Sequence, residues 1–340
     1  MTFKKINPTE FEKHLIDFRA IQIEFQEKYG VNDIFSNSKI YEVVIANELN
    51  HELIPGHSGS KDAFNKDGEF EYKHFKETST NHSWTFNDYS EATIESLKKV
   101  KQIIFAHIDD KTYPPSLDWY IAADGIRFAK YLKDRTEDLL KRRPKGKPNA
   151  RRMINISAVQ LEKDLKLKKS ILGSRNKDGK YFDALNELNN LTLKFEALSG
   201  VHNILTSNKI WEVLVAMKLG HNVNSEQGGR AGAHDAFDAE GLEYEYKVSK
   251  NHSWNFQDIS ENVLQKYLHD EAIILAIVDK TKLLVTKIYK AKSEQVVARL
   301  REKLTEKQER FKKANKTIKR TQVSLSKGDL ERVGAVELPI

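Results

Sequence analysis

The sequence predicts an α/β protein built from two tandem copies of one unit, each a central mixed β-sheet flanked by helices. Three observations predict it. First, the chain repeats itself: Ser38-Lys39-Ile40-Tyr41-Glu42-Val43 recurs as Asn208-Lys209-Ile210-Trp211-Glu212-Val213, displaced by 170 positions, half of the 340 residues. The same displacement carries Asn81-His82-Ser83-Trp84 onto Asn251-His252-Ser253-Trp254 and Ile103-Ile104 onto Ile273-Ile274. Second, helical and strand periodicities alternate within each copy, the order that places helices over a sheet. Third, the composition, 39% hydrophobic and 31% charged, suits a globular protein with room for two cores. The predicted units are residues 1–170 and 171–340, joined near the polar stretch Gly173 to Lys180.

In the first unit, Phe11, Leu15, Phe18, Ile21 and Phe25 recur at intervals of three or four, the stripe of an amphipathic helix over 9–29. A second helix carries Lys39, Glu42 and Leu49, with Ser36 or Asn37 available to cap it. A loop with Gly56 and Gly59 follows, then Asp62-Ala63-Phe64 and a turn ending at Gly68. Glu69 to Phe75 alternates polar and aromatic residues, as a half-buried strand does. A helix near 90–99 precedes a central strand at 103–108, and a further helix near 122–141 leads to a basic strand near 151–157. The second unit reads the same way, its glycine loop holding Gly228, Gly229 and Gly232.

Charge and composition narrow the function classes. The net charge is +7 and the pI about 9.1, which favours an anionic partner. Basic residues cluster at 141–152 and 310–320. Lys145, Lys147, Arg151, Arg152, Lys319 and Arg320 are the candidate phosphate contacts, although the first run also reads as a solvated linker. There is no cysteine, so disulfides, thiolate metal sites and cysteine nucleophiles are excluded. No apolar run approaches the roughly 18–20 residues that span a bilayer, and no secretory signal is expected, so a cytoplasmic protein is the default.

The chemistry-bearing residues are Asp62, Glu71 and Lys73. Glu71 and Lys73 are two apart on a strand and share a face, while Tyr72 points to the other. The turn at Gly68 folds that strand back beside Asp62, so two carboxylates and an ammonium converge. Hard oxygen ligands of this kind suit Mg²⁺, which takes one or two carboxylates and keeps its remaining positions for water and phosphate oxygens. The second unit repeats the set as Asp235, Glu245 and Lys247, with one extra residue between Asp and Glu that the turn is expected to absorb. Three plainer readings stand beside this one. Glu71-Tyr72-Lys73 also reads, less well, as a surface strand edge with paired charges. Glu42 and Glu212 read as solvent-facing partners of Lys39 and Lys209. The Asn-His-Ser-Trp repeats read as turns anchored by a buried tryptophan, or as loops that touch DNA or the active site.

This pattern resembles the PD-(D/E)XK nuclease superfamily, and within it the type II restriction endonucleases and related repair nucleases. The resemblance covers each unit: a helix with a glutamate, a glycine-bearing loop, an Asp, an acidic-x-Lys strand, then a helix and strands. It implies two restriction-endonuclease-like domains forming a pseudo-dimer within one chain. It implies that Asp62, Glu71, Asp235 and Glu245 bind Mg²⁺, with main-chain carbonyls from Tyr72 and Tyr246. It implies that Lys73 and Lys247 serve the attacking water, and that Glu42 and Glu212 fill the accessory acidic position. The proline that precedes the Asp in the family's motif is replaced by Lys61 and His234. The function expected is sequence-specific, Mg²⁺-dependent hydrolysis of double-stranded DNA by a monomer, one site per strand. The alternatives are a repair or phage-defence nuclease reading structure or modified bases, and a non-catalytic DNA-binding subunit.

Overall fold

The computed structural model describes residues 8–35, 39–55, 61–86, 91–142, 153–202, 204–205, 209–223, 234–314 and 321–340. The first half runs α1 (Pro8–Tyr29), α2 (Lys39–Leu49), β1 (Glu52–Leu53), β2 (Ala63–Asn65), β3 (Gly68–Lys76), β4 (Trp84–Phe86) and α3 (Glu91–Leu97). It continues with β5 (Gln102–Asp109), β6 (Ser116–Asp124), α4 (Gly125–Arg142), β7 (Ile154–Ile156), α5 (Ala158–Leu165) and β8 (Lys169–Ile171). The second half repeats that order: α6 (Phe182–Ser199), α7 (Lys209–Leu219), β9 (Asn222–Val223), β10 (Ala236–Phe237), β11 (Glu243–Ser249), β12 (Ser253–Phe256) and α8 (Glu261–Tyr267). Then come β13 (Ala272–Asp279), β14 (Leu284–Lys292), α9 (Ser293–Lys313), β15 (Val323–Ser326), a 3-10 turn (Lys327–Asp329) where the first half has α5, and β16 (Val336–Leu338).

Each half forms a six-stranded mixed sheet, in the orders β1-β2-β3-β5-β6-β8 and β9-β10-β11-β13-β14-β16. Only the central pairs, β3 with β5 and β11 with β13, are parallel. That pairing needs a crossover, supplied by α3 and α8. Small two-stranded sheets, β4 with β7 and β12 with β15, close each unit. Ile154-Asn155-Ile156 of β7 and Val323-Ser324-Leu325 of β15 are thus the same strand built twice. Strand β6 and the elements α5 and β8 were not expected from the sequence. The run read as the start of a helix near 122 is the end of β6, and α4 begins at Gly125.

Three apolar cores hold these layers. One lies between β5, β6, α3 and α4, with Trp84, Phe105 and Phe128 at its centre. Its counterpart in the second half centres on Trp254, Leu275 and Leu300. The largest is shared by both halves and includes residues of α1, α2, α6 and α7 with one face of each sheet. Helices α1 and α6 run antiparallel, with Phe11 and Phe18 against Phe195 and Tyr29 against Tyr181, ring centroids 5.0–5.4 Å apart. The contact is reciprocal. Phe11, Leu15 and Arg19 of α1 line a cleft with Leu283–Val285 of the other half, and Asn189, Thr192 and Glu196 of α6 line one with Tyr113 and Pro115 of the first. Arg19 donates to the carbonyls of Lys282 (3.1 Å) and Leu283 (3.4 Å).

The polar joint between the halves is packed rather than trailing. Asn47 donates to the Asn176 carbonyl (2.9 Å) and accepts from the Tyr181 amide (3.1 Å), and the Leu53 amide donates to the Tyr181 hydroxyl (2.9 Å). Gly179 lies so close that a Cβ there would fall 2.2 Å from Asn47 Oδ1. No helix among the described residues is long and apolar enough to cross a membrane.

Candidate active sites

Strand β3 sits inside the first sheet, and the pleat sends alternate side chains to opposite faces. Tyr72 enters the shared core, while Glu71 and Lys73 emerge on the other face, over Ile103 and Phe105 of β5. Asp62 immediately precedes β2. Its amide donates to the Phe70 carbonyl (2.9 Å), and its Oδ2 accepts from the Tyr72 amide (2.6 Å). Lys73 Nζ contacts Glu71 Oε1 and lies 3.2 Å from the Tyr72 carbonyl, with the Phe86 ring 5.8 Å below. Glu42 comes from the first turn of α2 and pairs with Lys39. The expected i, i+3 pair therefore exists, but it does not face solvent: the Lys39 side chain is only 7% exposed.

The second half builds the same arrangement. Asp235 accepts from the Tyr246 amide (2.8 Å), Lys247 pairs with Glu245, and Lys209 pairs with Glu212. The extra residue is absorbed in the turn. Ala63 faces Phe70 across β2 and β3, and the equivalent Ala236 faces Tyr244 across β10 and β11. In the longer turn, Asp238 Oδ1 accepts from the Glu240 and Leu242 amides, and its Oδ2 accepts from the Tyr244 hydroxyl.

Electrostatics bind each set into one unit. Burial raises Glu71 to about 7, Lys73 opposing and Asp62 and Glu42 adding to the rise. Burial and then Asp62 raise Glu42. In the second half burial is again the largest cause, raising Glu212 to about 7 and Glu245 to about 8, with Asp235 reinforcing both; Asp235 is also raised by burial. Burial alone would lower the two lysines, but Glu71, Asp62 and Glu42 hold Lys73 above its ordinary value, and Glu245 and Asp235 do the same for Lys247. Both lysines are thus cations. Each half thus gathers three carboxyl groups, and burial and mutual repulsion raise the two glutamates in each, the condition that a bound cation relieves. Glu71 Oε2 is buried without a hydrogen-bond partner. Clustered hard oxygen donors in both halves and, in the first, an orphaned carboxylate oxygen fit a divalent cation.

Several other residues take definite places. Trp84 and Trp254 are buried and donate to the Ala106 and Ala276 carbonyls, both at 2.9 Å, so in each repeat the tryptophan anchors the central strand. Asp109 and Asp279 cap the turns after β5 and β13 by accepting amides of Lys111 and Thr281. His234 Nε2 lies 2.8 Å from Glu243 and Nδ1 3.0 Å from Asp270. Each ring nitrogen already faces its own carboxylate, so the imidazole itself bridges the two acids. The first half has Lys61 paired with Glu69 there and Val100 in place of Asp270. The sequence reading did not single out His51 and His221. They hydrogen-bond the Tyr72 and Tyr246 hydroxyls at 2.8 and 2.9 Å, and their retention at the repeat displacement was the available signal. Lys145, Lys147, Arg151, Arg152, Lys319 and Arg320 lie outside the described residues, as do Ser36, Asn37, Asp88 and the two glycine loops. No protein-family model matches the chain, and no curated protein matches it by sequence.

Proposed function

We propose that the protein is a Mg²⁺-dependent endodeoxyribonuclease of the restriction type, a single-chain pseudo-dimer of two restriction-endonuclease-like domains with one active site per half. The observation that carries this reading is the duplicate assembly: Glu42, Asp62, Glu71 and Lys73 converge in one half, and Glu212, Asp235, Glu245 and Lys247 in the other, at matching strand registers. The reciprocal packing of α1 and α6 supports a pairing in which the sites meet opposite backbones of a duplex.

In this reading Asp62, Glu71 and the Tyr72 carbonyl hold the cation in the first half, and Asp235, Glu245 and the Tyr246 carbonyl in the second. Bound Mg²⁺ supplies polarisation of the phosphoryl oxygen and a lowered pKa for water. Lys73 and Lys247, held as cations by the neighbouring carboxyl groups, serve the attacking water as hydrogen-bond donors. They orient the nucleophile and offset charge that develops on phosphate oxygens. Asp62 accepts the Tyr72 amide and so fixes the strand segment between Glu71 and Lys73. Basic residues outside the described regions, Lys145, Lys147, Arg151, Arg152, Lys319 and Arg320, are assigned to phosphate contacts that position the duplex.

The test is cleavage of supercoiled plasmid with Mg²⁺ or with EDTA. Mg²⁺ gives discrete linear products and EDTA none; full-rate cutting in EDTA overturns the metal assignment. K73A and K247A each become nickases, cutting complementary strands at the same site. If K73A abolishes both cuts while K247A keeps full duplex cleavage, only the first half is catalytic. DNA that is retarded but intact under every condition identifies a binding subunit.

A further inference from the structure

Both halves carry the same strut between the accessory-acid helix and the acidic-x-Lys strand. Helix α2 ends in a left-handed residue, Asn50 (φ 53°), and α7 in Gly220 (φ 70°). The next amide, of His51 or His221, reaches back to the carbonyl of Ala46 or Ala216, 2.9 Å in each case. This closing motif fixes the histidine backbone against the helix end. The imidazole is then held on two more sides. His51 lies flat on Phe70, centroids 4.0 Å apart, and its Nδ1 meets the Tyr72 hydroxyl at 2.8 Å. His221 packs on Tyr244 at 4.4 Å and meets the Tyr246 hydroxyl at 2.9 Å.

The tyrosine so anchored is the hub of the candidate site. The Tyr72 amide donates to Asp62 Oδ2, its carbonyl accepts from Lys73 Nζ, and its chain neighbours are Glu71 and Lys73. The Tyr246 amide likewise donates to Asp235 Oδ2, and its chain neighbours are Glu245 and Lys247. The hydroxyl end and the main-chain end of one buried residue therefore connect the helix bearing Glu42 with the strand bearing Glu71. The flanking residues have diverged between the halves, Phe70 to Tyr244 and Asn50 to Gly220, while His and Tyr are retained at both places.

Resting on the nuclease reading above, we propose that His51 and His221 are positioning residues: each acts through the tyrosine hydroxyl to set the main chain between the catalytic glutamate and lysine of its own half. The pairs act independently, so each governs one strand cut.

The experiment compares Y72F with Y181F. Both lose one buried tyrosine hydroxyl and its hydrogen bond, but the Tyr181 hydroxyl accepts from the Leu53 amide of the edge strand β1, two strands from β3. Y72F is expected to slow the cut made by the first half about tenfold or more, the usual effect of removing a partner that orients ligands, and to raise the Mg²⁺ concentration needed for half-maximal cutting. The other strand is cut at the normal rate, and Y246F shows the converse. H51F behaves as Y72F, and the double variant is no worse than either alone. H51N, whose amide takes the place of Nδ1, recovers part of the rate. Y181F unfolds at lower urea but keeps both cuts. Mn²⁺ binding to the protein alone, followed by electron paramagnetic resonance, reads the same geometry without cleavage: Y72F weakens one of two sites about tenfold. If the wild type binds and cuts while Y72F equals it, this inference fails and the nuclease reading stands. If Y181F impairs the first-half cut as much as Y72F does, the effect is one of stability and the inference also fails. A wild type that neither binds Mn²⁺ nor cuts DNA overturns both.

Discussion

His51 and His221 sit at ring-stacked, hydrogen-bonded positions where a charge is costly. Burial lowers His51 from 6.5 to about 4 and lowers His221 as well. An unfolded chain binds a proton at each imidazole below about pH 6.5, whereas the folded chain stays neutral down to its depressed value. The contribution of these residues is therefore fully present above pH 6.5 and is lost as pH falls toward 4. Urea unfolding at pH 7 and pH 5 measures it as a difference: at pH 5 the wild-type midpoint drops relative to that of H51N, which does not titrate, while Glu71, Glu212 and Glu245, raised by burial, shift both proteins the opposite way. An unchanged difference would mean that His51 is protonated in the folded state. The candidate set was legible residue by residue, since Asp62, Glu71, Lys73 and their second-half equivalents converge as spacing and pleat required. The histidine anchors were not, because a histidine after a helix has no chemistry of its own until the fold brings a tyrosine to it.

At the scale of elements, the two turns before the acidic-x-Lys strands show how a register survives an insertion. A strand displaced by one residue would expose Tyr246 and bury Glu245 and Lys247 in the shared core. Asp238 prevents this by tying the longer turn to itself through two amides and a tyrosine hydroxyl. D238A removes all three acceptor contacts and is expected to cost about 1–3 kcal/mol, measured by denaturant unfolding. On the proposed nuclease function, it also reduces the second-half strand cut more than the first. An unchanged midpoint would place the register control in the strand pairing with β13 instead. The alternation in Glu69 to Phe75 made β3 predictable, as did the helical stripe in α1. Strand β6 escaped notice because Ile121-Ala122-Ala123 reads as well in a helix as in a strand, and only its pairing along β5 distinguishes them.

Across the whole molecule, the two halves share their largest core and are expected to fold as one cooperative unit. Phe195 is fully buried on α6 and contacts Phe11 and Phe18 on α1. F195A leaves a cavity on both sides of the interface and is expected to cost about 3–5 kcal/mol. Tryptophan fluorescence from Trp84 and Trp254, followed separately through single-tryptophan variants, then shows both halves unfolding at the same lowered midpoint. Separate midpoints would mean that each half is stable alone. The sequence by itself determined that the chain is duplicated, that each copy is α/β, and which carboxylates and lysines share a strand face, because repetition, periodicity and pleat are local properties. Only the tertiary structure decided how Glu42 and Lys39 join the site, which histidines anchor Tyr72 and Tyr246, and how α1 and α6 exchange places against the opposite half. Those relations depend on burial and on contacts between residues far apart in the chain, which no local pattern encodes.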